Sequence, residues 1–230
     1  MEEILKKIVE NSNPYTVFLY GSRATKSERP RSDYEIGVVY EDEKYTSRKK
    51  LGKLVNNPNF SVYPFRLSEL INCDIDTPFQ KKVFINALAK GGAKIIYGKN
   101  IFENFAVPEL RKEDLVEDIY FNLGLALAAV RIFRVGEEDL AKDMFCKSCL
   151  YVTRDFLYMK ERYLSLSYNE TYSMAEKYKN LLSEYYDLIK AAYKIRQGEA
   201  MELPVDLLYK NISYINKFIL KRIWKIGYFQ

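Results

Sequence analysis

The stretch YTVFLYGSRATKSERPRSDYEIGVVY, residues 15–40, decides the reading of this chain. Its first six residues (15–20) form a β-rich run that stops at Gly21–Ser22. A glycine there lets the backbone turn and approach a ligand with no side chain in the way. Ser22 adds a hydroxyl, and the amides after it would open toward a phosphate as a nest or helix N-terminus. A polar, basic connector (23–32) leads to a second strand, DYEIGVVY (33–40). Residues i and i+2 of a strand share a face, so Asp33 and Glu35 converge. Two carboxylates side by side repel each other unless a divalent cation lies between them. Magnesium takes hard oxygen ligands of this kind, completed by substrate phosphates. A phosphate cradle on one strand and metal-binding acids on the next is the layout that metal-assisted nucleotidyl transfer requires. An ordinary hairpin with a polar loop and surface acids is the bland alternative.

Composition narrows the chemistry further. The chain has 230 residues, 48% of them apolar, which is enough for one compact domain or two small ones. It contains no histidine, which removes Ser–His and Cys–His nucleophilic pairs and the usual histidine zinc ligands. A general base must then be a carboxylate, a lysine or a tyrosine. Cys73, Cys146 and Cys149 are too few for a four-ligand zinc site, and the last two sit in a helix-patterned apolar stretch that reads as buried packing. The formal charge of +5, on 36 basic and 31 acidic residues, suits an anionic ligand better than a nucleic-acid coat. No apolar run reaches the length of a membrane helix, and MEEILKKIVE reads as an amphipathic helix rather than a signal peptide. A cytoplasmic protein is expected.

Outward from the deciding stretch, residues 43–55 read as a short surface helix and FSVYPF (60–65) as a third strand, with Pro64 marking an edge or bulge. A helix over 79–92 ended by glycine and a strand over 93–98 complete the N-terminal half. Beyond Val107–Pro108 the alternation gives way to helical periodicity. Helices are predicted over 113–135, 138–164, from Ser167 to Gly198 and from Pro204 to about 226. Leu115, Ile119, Leu123, Leu127 and Val130 form the expected buried stripe of the first, and Ser167 with Glu170 a capping box for the third. Four such helices predict an antiparallel bundle. The fold class is therefore α+β, an α/β domain (1–107) with a small mixed sheet, followed by an all-α helical bundle (108–230).

The spacing of Gly21–Ser22 and Asp33-x-Glu35 resembles the nucleotidyltransferase superfamily signature. YGSRATKSERPRSDYE is most similar to the kanamycin (aminoglycoside) nucleotidyltransferase family, which also places a proline and a serine just ahead of the aspartate. The likeness extends more weakly through SVYPFRLSEL and GGAKIIYG. The resemblance implies a two-metal, in-line displacement in which an NMP, AMP above all, passes from an NTP such as ATP to an acceptor hydroxyl and pyrophosphate leaves. It implies Asp33 and Glu35 as ligands of Mg²⁺, Gly21 and Ser22 as triphosphate contacts, and Arg23 and Lys26 as weaker phosphate contacts. Arg29 and Arg31 read as solvated loop charges. Two departures stand out. The family places a third carboxylate on the following strand, where this chain has Tyr63. The family's general base, a glutamate of the second domain's first helix, aligns with Phe121, leaving Glu117 and Asp118 as neighbouring acids that could take over.

The resemblance also implies a homodimer and a small-molecule hydroxyl acceptor. The alternatives are a transferase acting on RNA or protein, as nucleotidyltransferase antitoxins do, and a degenerate nucleotide-binding or oligomeric scaffold. The last helix sets Lys217, Lys221 and Lys225 on one face, a solvated stripe or, as the minority reading, a groove for an anionic substrate. The 20 tyrosines read mainly as half-buried bundle residues.

Overall fold

The computed structural model describes residues 1–28, 32–75, 81–103 and 105–225, the side chains of 224 and 225 excepted. Arg29, Arg31, the start of the helix expected from 79 and the Lys225 side chain lie outside the described residues. The chain divides into two compact units, Met1–Leu110 and Arg111–Gln230.

The first unit is built on a four-stranded mixed sheet in the order β3-β2-β1-β4. Its strands are β1 (Thr16–Tyr20), β2 (Tyr34–Tyr40), β3 (Phe60–Arg66) and β4 (Ala93–Gly98). β1 runs antiparallel to both β2 and β4, whereas β3 pairs parallel to β2. That parallel pair needs a crossover, which the helix α2 (Arg48–Val55) supplies. Pro64 sits on β3, an edge strand, the place in a sheet where proline is tolerated.

Strand alternation divides the sheet into two faces. Ile36, Val38 and Tyr40 of β2 and Val17 and Leu19 of β1 pack against Ile4 and Ile8 of α1 (Glu2–Ser12) and Leu51 and Val55 of α2. Each such side chain, fully removed from water, contributes roughly 1.5–3 kcal/mol. The opposite face carries Phe18, Tyr20, Val39 and Phe65, packed on Leu70 of α3 (Leu67–Ile71) and Ile85 of α4 (Lys81–Ala87). Asp33, Glu35, Ser61 and Tyr63 share the parity of this second face. α4 runs into a wide turn whose Gly91, at φ 105°, ends it as the sequence predicts.

The second unit is all helix: α5 (Lys112–Arg134), α6 (Glu138–Glu161), α7 (Tyr168–Lys177), α8 (Lys179–Leu182), α9 (Tyr186–Arg196), α10 (Val205–Ser213) and α11 (Lys221–Lys225), the last two joined by a π-turn over Tyr214–Leu220. Cys146 and Cys149 are buried thiols of α6. The third predicted helix is broken into α7, a single turn of α8 and α9, with Ser183 at φ 52° between them. The break folds α9 back beside α7 and stacks Tyr172 on Tyr193 at 4.2 Å.

The stripe of α5 also differs from expectation. Leu115, Ile119, Asn122, Ala126 and Ala129 are buried, while Leu127 is exposed. A run spaced strictly by four drifts around a 3.6-residue helix, whereas alternating steps of four and three hold one seam. Ser167 accepts a bond from the Glu170 amide at 3.2 Å, but Glu170 reaches back to the Leu166 amide, one residue short of the reciprocal capping box. Lys217 and Lys221 are exposed. No helix among the described residues is long and apolar enough to cross a membrane.

Candidate functional site

The site forms where β1 ends. Gly21 takes φ +69°, a left-handed backbone that favours glycine, and begins a 3₁₀ turn over Gly21–Arg23. The Gly21 carbonyl accepts from the Ala24 and Thr25 amides at 3.1 and 3.2 Å, and Ser27 donates to the Ser22 carbonyl at 2.8 Å. The turn is thus tied from within. The first amides of such a turn, those of Ser22 and Arg23, have no partner inside it. Thr25 Oγ1, 2.9 Å from Ser27 Oγ, tightens the loop further.

Across β1–β2, Tyr20 is the partner of Glu35. Glu35 reaches back toward the corner, so that a Cβ at position 21 would lie 1.8 Å from Glu35 Oε2. A Cβ at this position would have to displace the carboxylate end of Glu35. Asp33 lies one residue ahead of β2, not inside it as the sequence suggests. Its carboxylate is exposed and accepts a 2.5 Å hydrogen bond from Ser61 Oγ. Ser61 is in turn the β3 partner of Glu35. Ser61 went unnoticed in the sequence, where a serine in an edge strand gives no signal until pairing places it beside the acids.

Tyr20 marks the same convergence. Its buried phenol is pushed well above the ordinary tyrosine range, first by burial and then by the negative charge of Glu35 and, more weakly, of Asp33, with Arg48 pulling the other way. One hydroxyl therefore sits within electrostatic range of both acids. It stays neutral at physiological pH.

Arg23, read from the sequence as a phosphate contact, is held by the backbone instead. Its Nη2 and Nε donate to the Ser32 carbonyl at 2.6 and 3.0 Å, and Nε also reaches the Asp33 carbonyl at 3.2 Å. Its guanidinium lies 3.9 Å over the Tyr34 ring, which stacks on Phe60 at 4.8 Å. This clamp fixes the backbone from which Asp33 projects. Lys26, at φ 55°, is exposed.

Two hard carboxylate oxygens on one face suit a single magnesium ion whose remaining ligands are phosphate and water oxygens. Among the described residues no group of three or more acids, cysteines or histidines gathers around one point. Tyr63 occupies the expected position of a third acid on β3, and its ring carries the Arg48 guanidinium at 3.9 Å.

The acids named on α5 have different surroundings. Glu117 is exposed. Asp118 is buried and accepts from Arg154 Nη2 at 2.8 Å and from Asn122 Nδ2 at 3.2 Å. Arg154 also binds Asp155 at 2.7 Å, so one guanidinium serves two buried carboxyls. An acid so engaged is poorly placed to accept a proton.

Residues 2–100 match the family described as polymerase beta, nucleotidyltransferase. No curated protein matches the sequence of the chain. Among solved structures, the spectinomycin adenyltransferase AAD(9) from Enterococcus faecialis, determined with ATP and spectinomycin, is similar at a TM-score of 0.60 and 16% identity, over 94% of this chain and 95% of that one. At that identity the likeness is one of fold.

Proposed function

We propose that this chain, which carries a nucleotidyltransferase domain in its first unit, moves a nucleoside monophosphate from a magnesium-bound NTP to a hydroxyl of a small molecule and releases pyrophosphate. The observation that carries this reading is the Glu35 carboxylate packed against Gly21 with Asp33 beside it, held by Ser61. Asp33 and Glu35 would hold the ion, whose charge neutralises the transferred phosphoryl group and the leaving pyrophosphate. The Gly21–Arg23 turn offers its amides to the triphosphate. Arg23 and Ser61 keep Asp33 in place, so the acids need little rearrangement when nucleotide arrives. Of the two acids named on α5, Glu117 keeps a solvent-facing carboxylate and is retained as the candidate acceptor of the hydroxyl proton.

ATP as donor and an aminoglycoside-type acceptor are supported by the solved neighbour, which was determined with ATP and spectinomycin. The test is incubation with α-labelled ATP, GTP, CTP and UTP plus Mg²⁺ against pools of aminoglycosides and spectinomycin, RNA and protein. Label on a small molecule together with pyrophosphate release is the expected result. Label only on RNA or protein would overturn the acceptor class. Nucleotide binding without pyrophosphate release would reduce the chain to a scaffold.

A further inference from the structure

Arg48 is held by a ring rather than by an acid. In the first unit Arg66 pairs with Glu69 at 2.7 Å, Lys81 with Asp74 at 2.5 Å and Lys44 with Glu41. Arg48, the first residue of α2, is exposed, and no carboxylate among the described residues comes within ion-pair distance of it. Its guanidinium instead lies 3.9 Å over Tyr63. Tyr63 shares its sheet face with Ser61, the residue that holds Asp33. The Tyr63 ring also meets Tyr20 edge-on at 6.3 Å, and Tyr20 is the cross-strand partner of Glu35. One layer of side chains therefore separates this cation from the two acids.

A triphosphate seated at two carboxylates brings more negative charge than one divalent ion cancels. A guanidinium is suited to supply the remainder, because its plane stacks on an aromatic face while its edge donates to phosphate oxygens. We propose that Arg48, seated on Tyr63, is a phosphate-binding residue that donates to the non-bridging oxygens of the bound nucleotide's outer phosphates. The proposal rests on the nucleotidyltransferase reading above and adds a fixed cation where a third acid was expected.

The test is calorimetric binding of α,β-methylene-ATP and of AMP, in Mg²⁺, to the full chain and to Arg48→Ala, Arg48→Lys and Asp33→Asn. Arg48→Ala should weaken the triphosphate analogue at least about tenfold, equivalent to about 1.4 kcal/mol. It should change AMP binding less than about twofold and leave the melting temperature within about 2 °C, since an exposed side chain holds little of the fold. Arg48→Lys keeps the charge without the stacking fork and should fall between wild type and alanine. Unchanged triphosphate affinity in Arg48→Ala, or equal loss for AMP and triphosphate, would overturn the proposal while leaving the function intact. A wild-type chain that binds no triphosphate, or Asp33→Asn binding it as wild type does, would instead remove the nucleotidyltransferase site and this proposal with it.

Discussion

The carboxylate of Glu35 fills the space beside Gly21, where a Cβ would come within 2.7 Å of its Cδ and closer still to Oε2. The glycine is therefore favoured by its φ of +69°, and a Cβ there would also displace the Glu35 carboxylate. An L-residue forced into that backbone costs about 1–2 kcal/mol, and displacing the acid costs geometry at the site. Gly21→Ala is expected to fold with a melting temperature lower by a few degrees. Its kcat/KM for nucleotide transfer should fall by at least about 100-fold, the scale set by misplacing a catalytic group by about 1 Å. Wild-type turnover in that variant would show that the acid's position at the corner is immaterial.

Asp33→Asn and Glu35→Gln keep the shape of each side chain and remove its charge. Each is expected to abolish metal-dependent pyrophosphate release, by about 1,000-fold or more, while leaving circular dichroism and melting unchanged. Ser61→Ala is the graded companion. It removes the 2.5 Å donor to Asp33 and nothing else the structure assigns to that hydroxyl. A loss of roughly ten- to 150-fold is expected, the range of about 1.5–3 kcal/mol for one hydrogen bond to a charged group. Turnover surviving both acid substitutions would exclude the pair from the mechanism.

The strands and the glycine corner were legible because they are local: a β-run and a residue that tolerates positive φ announce themselves within a few positions. What a side chain at a functional position touches was not. Arg23 and Arg48 are both arginines near polar loops, yet one is claimed by the Ser32 and Asp33 carbonyls and the other by a ring on a different strand. Ser61 acquires its place only through the parallel register that sets it opposite Glu35. Asp118 looked like a candidate base until α6 supplied Arg154 from 36 positions away. The break after α7 escaped for a similar reason, since no glycine or proline marks it and only the packing of the returning α9 calls for it.

The Arg23 clamp separates positioning from charge. Its fork spans two carbonyls and stacks on Tyr34, a geometry that a lysine cannot reproduce. Arg23→Lys is expected to lose nearly as much kcat as Arg23→Ala, whereas Lys26→Ala, at an exposed position, should change KM for nucleotide by no more than a few-fold. Steady-state kinetics on the three variants decide it. Full rescue by lysine at position 23 would mean that the charge, rather than the clamp, is what the site uses.

Asp155 offers a pH signature confined to the helical unit. Its carboxyl is fully buried, and burial pushes it well above the ordinary carboxylate range. Arg154 draws it back and the neighbouring Asp118 pushes it further up, because one guanidinium cannot offset two buried negative charges. The unfolded chain releases this proton near the ordinary aspartate value of about 3.9, while the folded chain keeps it to higher pH. Unfolding between those two values releases a proton, so the contribution of this group is full below the unfolded value and is lost as pH rises toward the folded one. Asp155→Asn preserves the shape and removes the titration. In urea denaturation at pH 5 and pH 8, wild type is expected to lose more stability on going to the higher pH than the asparagine variant does. The difference between them has a ceiling of about 1.4 kcal/mol per pH unit for a single proton. Parallel pH dependences in the two proteins would show that Asp155 titrates alike folded and unfolded, and that Arg154 neutralises both acids.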